Sequence, residues 1–257
     1  MEKTRFLVVG AGVTGLSFAD WVKSDDYLVC EALHEVGGYC RTVKQDGFIW
    51  DFSGHFFHFK NPDIESYLLA RMGDQKIRKV TKEARIDYNG TIVDFPFQKN
   101  IHQLPKEDFI DCLVDLYFKE ERVAENFKEM LYTKFGRSIS EKFLIPYNEK
   151  LYATDLANLD VDAMGRFFPY ADIDDIIGNF RKSDNTSYNS TFTYPEGGAI
   201  QYVKALEAGV DSSKICLNER VVEIDIEARI ARTNRREIRY EQLISSMPMN
   251  KLLNLAQ

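Results

Sequence analysis

Apolar residues follow two different periods along this chain, and the switches between them mark its parts. The run Phe6-Leu7-Val8-Val9 predicts a strand, glycines at 10, 12 and 15 predict a tight turn, and about Thr14 to Lys23 predicts a helix. Tyr27 to Glu31 then predicts a second strand, which completes a βαβ beginning. Residues 76 to 95 predict short strands, and "DYNGTIVDF" predicts a hairpin turning through Asn89-Gly90. After Pro105 the period lengthens: Phe109, Leu113, Leu116 and Tyr117, then Val123, Phe127, Met130 and Leu131, predict helices with one buried face. Ser138 and Glu141 are spaced as a capping box opening a further helix. Strand patterning returns in "STFTYPEGGAIQYVKAL" and in the alternating segment from Lys214 to Asn250, while Lys251 to Leu255 predicts a helix.

This order predicts an α/β protein with a Rossmann-like, discontinuous nucleotide-binding domain and an inserted, mostly helical domain. The expected boundaries are 1–75 for its first part, 76–190 for the intervening strands and helices, and 191–257 for its second part.

The glycine spacing carries chemistry. Gly10 lets the strand turn sharply, Gly12 lets backbone approach a pyrophosphate with no Cβ in the way, and Gly15 lets the helix pack on the strand. An anion there meets the positive end of the helix dipole and free N–H groups, those of Val13 and Thr14 among them. Glu31, at the end of the second strand, stands where an acid accepts hydrogen bonds from a ribose. Such an acid points to FAD or NAD and away from NADP.

Composition narrows the partners. Of 257 residues, 44% are hydrophobic, ample for a core, and 33 Lys and Arg against 40 Asp and Glu leave a formal charge of −7. That balance excludes a nonspecific nucleic-acid binder, which needs a surplus of cations. Cys30, Cys40, Cys112 and Cys216 are far apart and form no CxxC pair, so reduced thiols in a cytoplasmic protein are expected rather than zinc or a disulfide framework. No signal-peptide pattern opens the chain, and no run reaches the roughly 18 apolar residues of a spanning helix.

"CEALHEVGGYCRT" places Gly37-Gly38 six residues after Glu31, and "FIWDFSGHFFHF" follows. Here the chain resembles the flavoprotein superfamily of amine oxidases, protoporphyrinogen oxidases and UDP-galactopyranose mutases. The resemblance implies FAD as cofactor, with Gly37, Gly38 and Arg41 along its pyrophosphate and Ser53, Gly54 and His55 near the flavin. It also implies that Val221 in "NERVVEID" meets the adenine end through its backbone.

"FLIPYNEKLYATDLANLD", followed by Arg166, resembles the mutase branch. That implies Tyr147 and Tyr152 against the uridine of a nucleotide sugar, with Tyr152 where the family usually has Trp, and Arg166 contacting the substrate. The implied activity is a redox-neutral pyranose–furanose interconversion for cell-surface polysaccharide. In it Arg166 stabilises departing diphosphate charge and His55 shields or tunes the reduced flavin. The alternative is an amine-oxidase or protoporphyrinogen-oxidase type of oxidoreductase. A homo-oligomer is compatible with either.

Each residue also has a plainer reading: Tyr147 and Tyr152 as core aromatics, Arg166 as an ion-pair residue, "ARTNRREIRY" as a solvated hairpin tip. His55 and His58 have no third ligand spaced to complete a metal site. The family's C-terminal closing segment has no counterpart before "NKLLNLAQ", so a fragment of a longer protein is expected.

Overall fold

The computed structural model describes residues 1–182, 185 and 191–256, with the side chain of Arg166 outside the description. The chain divides into two compact units, Met1–Val80 with Phe192–Gln257, and Thr81–Thr191.

The first stretch holds β1 (Glu2–Val9), α1 (Val13–Trp21), β2 (Tyr27–Cys30), the hairpin β3 (Thr42–Gln45) and β4 (Phe48–Asp51), α2 (Pro62–Leu69) and β5 (Ile77–Thr81). The middle stretch holds β6 (Arg85–Tyr88), β7 (Thr91–Asp94), α3 (Lys106–Tyr117), α4 (Phe127–Ile139), α5 (Ile145–Tyr152) and α6 (Ile173–Arg181). Then come β8 (Thr191–Pro195), α7 (Ile200–Glu207), β9 (Ile215–Cys216), β10 (Val221–Asp225), β11 (Ile230–Thr233), β12 (Glu237–Ser245) and α8 (Met249–Leu255).

The first unit is built on a six-stranded sheet in the order β10-β11-β12-β1-β2-β9. β1 pairs in parallel with β2 and β12, β2 pairs in parallel with β9, and β10, β11 and β12 form an antiparallel meander at the edge. The centre of this sheet reads as a continuous apolar run because both faces are covered. Val8 and Val29 pack beneath α1 and α7 with Leu16 and Val203, while Leu7, Val9 and Leu28 pack with Ile224 and Ile238. Each such side chain contributes about 1.5–3 kcal/mol on burial. Gly15 shows how close α1 lies: a Cβ there would press into the Gly10 carbonyl oxygen and stand 3.1 Å from Val8 Cγ1.

Polar anchors tie the edges. Asp20 in α1 accepts from Tyr67 OH of α2 and forms an ion pair of 2.7 Å with Arg71. Glu219, 2% exposed, receives Arg236 in two-pronged fashion at 2.8 and 2.9 Å, and Thr233 Oγ1 at 3.0 Å. Burial would raise the Glu219 carboxyl, but these hydrogen bonds outweigh it and hold the group below its ordinary value. The basic run is thereby balanced by acids, with Arg232 likewise paired to Glu223 and Glu237. Both tryptophans lie at the surface, Trp21 62% and Trp50 59% exposed.

In the second unit the hairpin β6–β7 turns where expected, with Asn89 and Gly90 at φ +50° and +83°. Phe97, Phe127, Phe135 and Leu131 form its core. Three expectations are corrected here. Tyr117 is 70% exposed, and Val123 precedes α4 and is 89% exposed, so neither joins the buried face. Ser138 does not cap a helix: its N–H and Oγ both donate to Asp115 Oδ2 of α3, while Glu141 pairs with Arg137. The helical path is broken instead at Gly136, φ +73°, where a Cβ would run into the Asp115 carbonyl. A non-local contact replaces the local cap, and a π-helical turn, Ser140–Leu144, leads into α5.

Two outcomes follow. Gly15→Ala is expected to cost about 1–3 kcal/mol through overpacking, read as a lower urea midpoint. Because the Glu219 carboxyl is depressed, its stabilisation is present above the ordinary value of 4.5 and is lost as pH falls through the folded-state value. Glu219→Gln should flatten the acid limb of a stability–pH curve measured by urea unfolding.

Candidate functional site

The first unit contains a cleft of about 470 Å³ at the carboxyl ends of β1 and β2, within the size range of ligand sites. Its floor is the turn from Val9 into α1. Gly12 is the N-cap of α1 and makes no side-chain cap bond, so the first-turn N–H groups remain available to an anion. Gly10 has φ +102°, and a side chain there would collide with Ser246 Oγ, whose hydroxyl donates to the Val9 carbonyl at 3.1 Å.

Glu31 shapes this turn. Its Oε2 accepts from Ala11 N–H at 2.8 Å and its Oε1 from Leu33 N–H at 2.9 Å. Its backbone carbonyl accepts from Glu219 N–H at 2.8 Å. The carboxylate, 6% exposed and lining the cleft, therefore holds the loop as well as facing the ligand space.

The second glycine segment crosses opposite. Gly37 N–H donates to the Ala11 carbonyl at 2.8 Å, and a Cβ on Gly38 would stand 3.4 Å from Gly12 Cα. Gly37, at φ +124°, is backed by Ile200 of α7 and by the Arg41 stem. Arg41 Nε donates to the Gly38 carbonyl at 2.9 Å, its guanidinium lies over Phe52 at 4.3 Å, and it reaches Glu35 at 3.5 Å.

Two clamps fix this wall. Asp51 accepts from Thr42 Oγ1, from Tyr194 OH at 2.6 Å and from Ala199 N–H at 3.1 Å, while Thr42 Oγ1 accepts from Ile200 N–H at 3.2 Å. Burial and then the Asp51 bond push the Tyr194 phenol up to about 12. His55 supplies the second clamp: its Nε2 lies 2.6 Å from the Tyr39 carbonyl, an acceptor only, so Nε2 carries the proton.

Of the expected cofactor residues, Gly10, Gly12, Val13, Thr14, Glu31, Gly37, Gly38, Arg41 and Val221 line this one cleft. Gly15 lies beneath it as a packing glycine. Gly54 and Ser53 are exposed, and His55 joins the wall through Tyr39. Arg220, Ser246, Met247, Pro248 and Lys251 also line the cleft and were not anticipated. The one local signal for the last four was their position where the strand pattern gives way to a predicted helix.

The second unit holds the other expected residues. Tyr147 is 44% exposed and stacks on Phe143, with ring centroids 5.1 Å apart. Tyr152 is half-buried with its edge toward Phe127 at 6.1 Å. Arg166 falls in the short turn Gly165–Phe167, and its side chain lies outside the described residues. Among the described residues no group of three or more His, Cys, Asp or Glu could hold a metal, and no helix is long and apolar enough to cross a membrane.

The cleft fits a dinucleotide: two loops meet glycine to glycine, the helix N-terminus is uncapped, and a buried acid lies beside them. A Cβ on Gly12, 3.8 Å from Gly38 Cα, meets only ordinary van der Waals contact. Gly12→Ala should therefore fold normally yet fill the anion cradle, weakening FAD at least tenfold in a fluorescence-quenching titration with little change in melting temperature.

Residues 22–256 match the family model described as flavin containing amine oxidoreductase. The chain is 28% identical over 181 residues to protoporphyrinogen oxidase 2, chloroplastic/mitochondrial, of Arabidopsis thaliana, covering 64% of this chain and 35% of that one. A crystal structure of reduced UDP-galactopyranose mutase superposes with a TM-score of 0.88 at 26% identity, over 99% of this chain and 57% of the mutase. A putrescine oxidase shares the fold, with a TM-score of 0.61 at 16% identity over 100% of this chain and 60% of its own. The chain thus spans about a third of the curated relative and a little over half of the solved mutase. By its match over most of its length it belongs to the flavin-containing amine oxidoreductase family, and its cofactor is FAD.

Proposed function

We propose that the chain belongs to a UDP-galactopyranose mutase-like flavoenzyme, interconverting the pyranose and furanose forms of a nucleotide sugar. The observation that carries this reading is the TM-score of 0.88 to the reduced mutase across 99% of the chain, against 0.61 for the putrescine oxidase. When bound, FAD supplies the covalent and electronic chemistry.

The chain's own residues bind and orient. The uncapped start of α1 and the Gly37-Gly38 segment hold the pyrophosphate. Glu31 keeps the loop in shape and accepts from the ribose. His55, with Nε2–H committed to the Tyr39 carbonyl, steadies the wall beside the cofactor. In the second unit, the exposed ring of Tyr147 is suited to stack on a uracil base. Tyr152, turned about 140° away around α5 at 100° per residue, packs on Phe127 and holds the helix. By the same resemblance we assign Arg166 to the diphosphate.

A second reading, an oxidoreductase that passes hydride from an organic substrate to the flavin, is favoured by the identity to plant protoporphyrinogen oxidase. The two differ in net redox change.

The protein, loaded with FAD and chemically reduced, should convert UDP-galactopyranose to the furanose, detected by chromatography, with no peroxide released. Tyr147→Ala should raise KM about fivefold, a stacking contribution of about 1 kcal/mol, with the flavin spectrum unchanged. Oxidation of a porphyrinogen or amine with peroxide release, and no furanose, would reject the mutase reading.

A further inference from the structure

The charge of the cofactor's pyrophosphate raises a question that the glycine loop alone leaves open. Each of its two phosphoryl groups carries a full negative charge, whereas a helix N-terminus offers about half a positive charge. Cations lining the cleft must supply the difference. Arg41 is already engaged: it donates to the Gly38 carbonyl, stacks over Phe52 and pairs with Glu35. The two acids of the cleft are also committed, Glu31 to the Ala11 and Leu33 N–H groups and Glu219 to Arg236 and Thr233.

Two further cations line the same cleft, Arg220 just before β10 and Lys251 in α8. Among the described residues neither side chain pairs with a carboxylate, although the chain carries an excess of acids, 40 against 33. They stand on the wall formed by 219–221 and 246–251, which the first glycine loop faces. α8 is held to that wall: Leu252 and Leu255 pack on the cluster containing Val221 and Ile224, and Ala256 bridges to Ile224.

We propose that Arg220 and Lys251 are cofactor-binding residues that neutralise the pyrophosphate of FAD from the C-terminal wall of the cleft. The inference rests on the FAD assignment and extends it to residues absent from the glycine motifs. Binding then needs both ends of the chain, the first loop for directional N–H donors and the last helix for net charge. It also makes the pairing salt-sensitive, because both side chains are solvent-exposed.

The test uses the intact chain and titrates FAD by flavin fluorescence at low and high ionic strength. Lys251→Met and Arg220→Gln should each weaken FAD on the order of tenfold, the scale of one charge-assisted hydrogen bond, and flatten the salt dependence. Lys251→Arg should retain both affinity and salt dependence. Thermal unfolding without FAD should match wild type for all three, since these side chains make no ion pair among the described residues. Unchanged FAD affinity in both charge-removing variants overturns the inference while leaving the cofactor assignment intact. So does a loss of affinity whose salt dependence equals that of wild type, which would mark a steric effect. Failure of the wild-type chain to bind FAD or ADP counts against the cofactor reading itself.

Discussion

The carboxylate of Glu31 is the constraint on which the rest of the cleft depends. A turn that offers free N–H groups to an anion is by construction under-bonded, and nothing in α1 itself secures it, since Gly12 brings no capping side chain. Glu31 reaches across from the end of β2 to take the N–H of Ala11, and with its other oxygen takes Leu33, so the loop and the strand end become one rigid piece. Ala11 then offers its carbonyl to Gly37, which places the second glycine segment. One buried acid thereby propagates order through three stretches of chain. The desolvation cost is offset by its hydrogen bonds, as a buried carboxylate requires.

The wall opposite follows a similar logic with different chemistry. Asp51 gathers two hydroxyls and a backbone N–H, binding the β3–β4 hairpin to the start of α7, and α7 in turn supports Gly37 through Ile200. Both organising acids use their charge on neighbouring donors, which leaves the ligand space free of uncompensated negative charge. That is what an anionic cofactor needs.

Much of the first unit was legible because its signals are local. Glycines at 10 and 15, and the pair at 37 and 38, are demanded by positive φ or by contacts a Cβ would block, while Gly12 keeps the anion cradle open, and such constraints appear directly as residue type. The Asn89-Gly90 turn is of the same kind. What escaped was non-local. Ser138 is spaced as a cap, yet Asp115 from a different helix takes its donors, and Gly136 makes the break. Tyr117 and Val123 fit a helical period but lie outside the buried face, since periodicity does not say where a helix begins. Arg220 and Lys251 reach the cleft through sheet order, which brings β12 beside β1 although over two hundred residues separate them. Tyr147 and Tyr152, alike in the sequence pattern, differ in burial because five residues carry a side chain well around a helix.

The surface position of the two indoles bears on how this molecule can be watched. Trp21 rests against Tyr67 and Trp50 sits on the β3–β4 hairpin, both well over half exposed. Rings this exposed are expected to emit much as a solvated indole does, so denaturation should move their emission little, and the unfolding of the core is better followed through backbone dichroism. Trp50 instead becomes a reporter of neighbours: it belongs to the hairpin that continues the Gly37–Arg41 segment, and a chromophore seated in the cleft would quench its light by energy transfer.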